Sequence, residues 1–298
     1  DAALVERAAL LAKCDLTTEM VKEFTELQGV MGGLYARQQG EPEEVWRAVY
    51  EQYKPESMED AIPATLTGRL LSLADKLDTL RGCFQIGLIP SGSRDPFALR
   101  RAAQGVVKIL VEGKLALPLS RLTEGNQALA DFLLDRVRYY FREIRGFGYD
   151  EVNAVLAAGH DELTDVESRL AAIQAVRPTE NFEPLAASFK RIKNILRQAE
   201  FSGAGEIDAQ ILEAGPEAEL HQAFEKLRSR VNRFRKKKQY QPALEAIASL
   251  RPQVDRFFDK VLVNAPDPEV RRNRLNLLNK LLSESSAIAD FSEIVTTQ

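Results

Sequence analysis

The sequence predicts an all-α protein, and three observations lead there. Apolar residues recur at intervals of three and four through most of the 298 residues, the period of a helix with one buried face. No long segment alternates apolar and polar residues, as a half-buried strand would. Cap signals bracket the periodic segments. Asp95-Pro96 and Asp267-Pro268 each set an N-cap before a proline at the first helical position, and Thr164 and Glu167 have capping-box spacing.

In chain order, Ala8-Ala9-Leu10-Leu11-Ala12-Lys13 reads as an apolar helix, and Gly29-Val30-Met31-Gly32-Gly33 as a break that permits a tight turn or close helix packing. Leu70, Leu73, Leu77 and Leu80 make one face of a helix ending near Gly82. The next helix is capped by Asp95, begins at Pro96 and runs to about Glu112, before Gly113. The Thr164 helix turns Val166, Leu170 and Ile173 inward and stops before Pro178. Polar punctuation over Arg177-Pro178-Thr179-Glu180-Asn181 places a domain boundary at 178/179. Beyond it, Leu185, Phe189, Ile192, Leu196 and Ala199 form one stripe, and Leu220, Phe224, Leu227, Val231 and Phe234 another. A Gly, Ala and Glu-rich connector over Gly203–Gly215 joins them. Helices follow from about Pro242 to Leu250 and from Pro252 to Val263, then a last one capped by Asp267 and carrying Val270, Leu278, Leu281 and Leu282. The whole is expected to be a helical domain over 1–178 and a helical bundle over 179–298.

Composition sets outer bounds. The chain is 45% hydrophobic and 28% charged, ordinary for a soluble protein of about two domains. Its apolar runs are short and broken by charge, far from the ~20 residues that span a bilayer, so no membrane partner is expected. Glu6 and Arg7 interrupt any apolar signal segment at the start. Cys14 and Cys83 offer neither a disulfide framework nor a metal pair, which fits a reducing cytoplasm. The first residue, Asp1, suggests an excised or processed chain. Net charge is −4, but residues 1–180 hold 21 Lys and Arg against 28 Asp and Glu, and residues 181–298 hold 19 against 16. The basic excess gathers in Lys226, Arg228, Arg230, Arg233, Arg235, Lys236, Lys237 and Lys238, after an acidic stretch from Glu206 to Glu219.

Residues for catalysis are sparse. His160-Asp161 imitates a metal-binding doublet but has no second histidine nearby, and reads as a loop; His221 abuts an apolar stripe. Cys14-Asp15, with Asp75 about sixty residues on, is arranged as in helical HD-type phosphohydrolases, with Cys14 where the histidine of the doublet belongs. Two carboxylates without imidazole do not make a divalent metal site, so the expectation is a degenerate HD-like domain with no metal and no catalytic residue. Asp75 and Asp78 read rather as capping and surface ion-pair residues. The glycines at 29–33 lack the Gly-Lys-Ser/Thr ending of a phosphate loop. Basic faces remain. Lys190, Lys193, Asn194 and Arg197 fall at offsets zero, three, four and seven, read as a stripe opposite the core; Arg228, Arg235 and Lys238 form a second, with Tyr240 beyond as a stacking ring for an unpaired base. Each of these also reads as solvated helix surface, and Lys236–Lys238 as cations on a helix C-terminus. Their concentration in one part of an acidic chain points to RNA.

An ordered series of blocks then narrows the reading. Ala12-Lys13-Cys14-Asp15-Leu16, Glu23-Phe24-Thr25-Glu26-Leu27-Gln28-Gly29-Val30-Met31-Gly32, Ala74-Asp75-Lys76-Leu77-Asp78-Thr79-Leu80 and Asp95-Pro96-Phe97-Ala98-Leu99-Arg100-Arg101 come first. Arg191-Ile192-Lys193-Asn194-Ile195-Leu196, Phe257-Phe258-Asp259-Lys260-Val261-Leu262-Val263 and Arg271-Arg272-Asn273-Arg274-Leu275 come later in the chain. The series resembles the C-terminal portion of the β subunit of bacterial two-subunit glycyl-tRNA synthetases. The resemblance implies an HD-like domain followed by a DALR-type anticodon-binding bundle, whose namesake pattern Asp267-Pro268-Glu269-Val270-Arg271 approximates. It implies glycine tRNA and an α subunit as partners, in a heterotetramer of two α and two β, with no DNA. ATP and Mg would be used by α, and no cofactor by this chain. It adds Arg271, Arg274, Arg94 and Arg101 to the RNA-facing residues, Arg100 or Arg101 reading also as a partner of local carboxylates. An active HD-type metal-dependent phosphohydrolase fused to a helical RNA-binding module is the alternative.

Overall fold

The computed structural model describes residues 2–201, 203 and 205–296. These residues form fifteen α-helices joined by turns and by longer loops before α5, α6 and α12, and the β-type pairing among them is one isolated bridge, Ser91 to Arg94. The all-α expectation is borne out. Two compact units result, Asp1–Arg145 with Asp161–Thr164 and Gly146–His160 with Asp165–Gln298. No helix among the described residues is long and apolar enough to cross a membrane.

The first unit contains α1 (Ala2–Leu11), α2 (Glu19–Glu23), α3 (Val30–Gln38), α4 (Glu43–Tyr50), α5 (Leu66–Gln85), α6 (Leu99–Glu112), α7 (Leu119–Thr123) and α8 (Gln127–Tyr139). In α4, Val45, Ala48 and Val49 stand three and four apart and pack with Ala8 of α1 and Leu71 of α5. Gly33 lets α3 approach α4, because a Cβ there would lie 2.5 Å from the Tyr50 Cβ and 2.8 Å from the Trp46 carbonyl oxygen. The expected glycine break is thus a close packing point. Helix α5 runs a turn past Gly82 to Gln85, because Phe84 is buried. Helix α6 starts three residues later than Pro96, at Leu99. Asp95 still serves its amides, with Oδ1 accepting from Leu99 N at 2.8 Å and Oδ2 from Arg100 N at 3.0 Å. It caps across a turn that puts Ala98 in the left-handed region (φ 53°), which no local sequence rule foresees.

The second unit holds α9 (Tyr149–Ala157), most of α10 (Leu163–Val176), α11 (Phe182–Gln198), α12 (Pro216–Lys236), α13 (Tyr240–Ala248), α14 (Arg251–Lys260) and α15 (Pro268–Ser285). Its core is lined by Phe182, Phe189 and Phe291, with Phe291 centred 5.7 Å from Phe182 and 5.3 Å from Phe189. Leu220, Phe224, Leu227 and Val231 are buried from α12, and Leu278 and Leu281 from α15. Asp267 caps α15 as expected, accepting from Glu269 N at 2.8 Å. The Thr164 hydroxyl lies inside the first turn of its helix rather than before it. Helix α10 begins one residue earlier, and the Thr164 hydroxyl donates to Glu162. The compact units divide at Arg145/Gly146 rather than 178, because Arg177 grips Asp150 (2.8 Å) and Glu151 (2.9 Å) on α9 and so ties 146–160 to the C-terminal end of α10. The Gly203–Gly215 connector, described apart from Ala204, is strapped along α15. Asn273 donates to Asp208 O (2.9 Å), Asn276 to Glu206 O (3.1 Å) and Asn279 to Gly203 O (3.0 Å).

Lys76 of α5 is 8% exposed, and its ammonium is held by neutral oxygens: Tyr53 O at 3.1 Å, Lys54 O at 3.2 Å and Ser72 Oγ at 3.0 Å. Burial lowers its pKa to about 8, against the pull of Asp75 and Glu56. The unfolded chain keeps that proton to about 10.5, so between these values it binds more protons than the native chain and stability rises with pH. By pH 9.5 the Lys76 contribution should be roughly 2 kcal/mol relative to pH 7. Denaturant unfolding at pH 7 and 9.5 should show this gain in the natural chain and not in Lys76→Met. That window lies below the range where Tyr53 and Tyr140, both pushed up to about 12, add the opposite slope.

Candidate nucleic-acid interface

At 100° per residue, position on a helix decides which cations meet the protein and which meet water. On α11 the buried residues are Phe182, Leu185, Phe189, Ile192 and Leu196. Of the expected stripe, Asn194 lies nearly opposite that core, Lys190 and Arg197 lie on its flank, and Lys193 is nearest the core. All four are exposed. Lys193 nevertheless reaches Asp290 Oδ2 at 2.9 Å and Ser292 Oγ at 2.8 Å, with Glu293 at 3.6 Å. Burial works against its charge, but Asp290 and Glu293 outweigh burial and hold its pKa above the ordinary lysine value. Arg197 donates to Asn194 Oδ1 at 3.2 Å. Lys190 has no ion-pair partner among the described residues.

On α12 the sequence-derived stripe turns inward. Arg228 and Arg235 lie roughly 70° from the core centre, at its edge. Arg228 donates to Glu284 of α15 at 3.0 Å, and Arg235 to Asn232 at 3.3 Å. Lys238 lies 3.8 Å from Asp165. Tyr240, half-buried, donates its hydroxyl to the same carboxylate, and burial followed by that bond pushes the phenol pKa well up. It is an anchor between α13 and α10 rather than a free stacking ring. Arg274, expected to face RNA, is turned into the protein. It is 4% exposed, bound by Glu217 (2.9 Å), Glu213 (2.8 Å) and the Leu262 carbonyl (2.9 Å). The spacing 274, 278, 281, 285 puts it on the buried stripe of α15, so it faces protein and not RNA. Arg271, on the same helix, is exposed and unpaired among the described residues.

In the first unit Arg94 and Arg101 are exposed, and Arg101 lines a 250 Å³ cavity with Tyr53, Lys76 and Phe97. Arg100 shapes the preceding loop by donating to Gly92 O at 2.6 Å. Asp15 is buried; its Oδ2 accepts from Gly29 N (2.6 Å) and Gly32 N (3.0 Å) at the start of α3. Asp75 is ion-paired with Lys13. Both carboxylates are engaged within the fold, His160 sits in a loop against Leu156 O, and among the described residues no group of three His, Cys, Asp or Glu side chains could hold a metal ion. The donor set does not fit an HD-type metal centre, and the phosphohydrolase alternative is not favoured.

Comparison with known families agrees with this anatomy. Residues 2–157 match the model of the glycyl-tRNA synthetase β subunit. This chain belongs to that family. Residues 185–287, spanning α11 to α15, match the DALR anticodon-binding domain, and the expected boundary at 178 falls between the two matches. Among similar proteins, the glycine–tRNA ligase β subunit of Acidobacterium capsulatum is 52% identical over all of this chain and 45% of its own length. Those of Leptothrix cholodnii and Chromohalobacter salexigens are each 44% identical, over 97% and 99% of this chain. The chain thus spans less than half the length of these relatives, 45%, 42% and 45%.

Within the region matched by the anticodon-binding model, the sequence reading passed over one set of residues. Lys226, Arg230, Arg233 and Lys237 are spaced four, three and four apart, exposed, and without a carboxylate partner among the described residues. They lie roughly 90–150° from the α12 core centre, on the side away from Arg228. Measuring each cation's angle from the stripe Leu220, Phe224, Leu227, Val231 would have separated the two sets.

The buried pair generates a stability prediction. Arg274→Ala leaves Glu217, 1% exposed, as an uncompensated charge, and should cost about 3–5 kcal/mol in denaturant unfolding. The double change Arg274→Met with Glu217→Leu should recover most of that loss; recovery of none of it would show that charge burial is not the cause.

Proposed function

We propose that this chain is the tRNA-recognising portion of a glycine–tRNA ligase β subunit, supporting ATP-dependent glycylation carried out by a catalytic α subunit. The observation that carries the reading is the pair of matches in one chain, the β-subunit model over 2–157 and the anticodon-binding model over 185–287. Glycine activation with ATP and Mg belongs to the α subunit in this reading, in an assembly of two α and two β in the cytoplasm. The chain itself supplies no catalytic residue.

The division of labour among its side chains follows from their surroundings. Lys190, Arg197 and Arg271 are exposed on the bundle and suited to phosphates of the anticodon loop. The glycine anticodon ends in two cytosines, whose exocyclic amines are hydrogen-bond donors. Asn194, exposed beside Arg197, offers an oxygen that can accept from one of them. Arg94 and Arg101 serve the first unit in the same phosphate-binding way. Lys193, Arg228, Arg235, Lys238 and Tyr240 keep their carboxylate and amide partners and hold the bundle in shape.

The test is binding of this chain to glycine tRNA and to a version with both anticodon cytosines replaced, each at two salt concentrations. Affinity for both should fall with salt, and the native anticodon should be preferred by roughly tenfold or more. Lys190→Gln with Arg197→Gln should weaken both complexes. Equal, weak binding of the two RNAs would contradict the reading, as would glycine-dependent ATP–pyrophosphate exchange by this chain alone.

A further inference from the structure

We infer that Lys226, Arg230, Arg233 and Lys237 form a track for the RNA backbone along α12, a phosphate-binding surface separate from the α11 residues. The inference rests on the tRNA-binding reading above and adds to it the site and its chemistry. Three observations carry it. Lys226, Arg230 and Arg233 share one side of α12 and Lys237 follows at its C-cap, the four spaced over about 16 Å, long enough for several consecutive phosphates. All are exposed, and none meets a carboxylate among the described residues. Several other cations of this unit are paired, Arg228 with Glu284, Arg251 with Asp255, Arg256 with Glu219, Arg274 with Glu217 and Lys280 with Glu206, whereas the run of four along one line is not.

Phe234 gives the track its order. The Arg230 and Arg233 guanidinium carbons lie 5.8 and 5.7 Å from its ring centroid. Stacking on a ring face limits the rotamers of both arginines while leaving their N–H edges free. A guanidinium fixed in this way presents a two-pronged donor to phosphate oxygens at a smaller entropy cost than a free side chain. Lys226 and Lys237 extend the positive line at either end. As contacts to phosphate oxygens the four contribute affinity and register but not sequence preference.

The test uses this chain with Lys226→Gln, Arg230→Gln, Arg233→Gln and Lys237→Gln together, against a control with the paired cations Arg251, Arg256 and Lys280 changed to Gln. Binding to glycine tRNA and to the anticodon-substituted tRNA is measured from low to moderate salt, with circular dichroism and thermal midpoint read alongside. The track variant should keep its helix content, lose at least tenfold in affinity at low salt for both RNAs equally, and flatten the slope of log K against log salt by about three. The control should change the slope by less than about one. An unchanged slope in the track variant would overturn the inference while the tRNA reading stands, and would leave this flank to an acidic protein surface. A slope change shared equally with the control would overturn it as well, since net charge alone would then suffice. Failure of the unsubstituted chain to bind either RNA at low salt would overturn the tRNA reading, and this inference with it.

Discussion

A charge withdrawn from water must be met by an opposite charge or by several aligned dipoles, and this constraint governs how both units are built. In the first, the Lys76 ammonium is met by two carbonyls and a hydroxyl, and the Asp15 carboxylate by the amides of Gly29 and Gly32. In the second, Arg274 meets Glu217, Arg177 meets Asp150 and Glu151, and Arg169, 5% exposed, donates to the carbonyls of Val155, Gly159 and Ile288. Each of these groups joins segments distant in sequence, so the cost of leaving any one unmet falls on the packing of several helices. The apolar stripes bring the helices together, and the buried charges select which pairing of helices leaves no charge alone.

The same constraint sorts the cations into two kinds. Those at the edge of a core stripe, such as Lys193 and Arg228, find carboxylates on the neighbouring element and become part of the scaffold. Those on the outer flanks, such as Lys190, Arg271 and the Lys226–Lys237 set, find none among the described residues and stay exposed to water. Rigid helices fix the register of the free cations, and free cations give a salt-dependent hold on phosphate. In the first unit, Asp15 and Asp75 follow the scaffold half of this rule: one is tied to backbone amides and the other to Lys13, which explains a helical scaffold suited to packing and not to metal chemistry.

Much of the fold could be read before any coordinates. The stripes of α11 and α12, the Asp267 cap and the close packing at Gly33 all rest on local periodicity or on a residue type with one strong conformational use. What could not be read depends on partners far along the chain. Tyr240 meets Asp165 and Lys193 meets Asp290, and neither pairing leaves a local mark. The start of α6 escaped because Asp95 caps it across a left-handed Ala98. Arg274 is a different kind of miss. Its place on the stripe with Leu278, Leu281 and Ser285 was visible in the spacing, but a basic residue in a matched block drew a functional reading over a geometric one.

The measurement that most directly tests the sorting of cations is residue-resolved acylation of lysines, with and without saturating glycine tRNA. The account predicts that Lys190, Lys226 and Lys237 react readily in the free chain and are protected by RNA. Lys193 and Lys280, held by Asp290 and Glu206, should react slowly in both states, with little change. Protection centred on Lys193 and Lys280, with Lys226 and Lys237 still reactive in the complex, would contradict it.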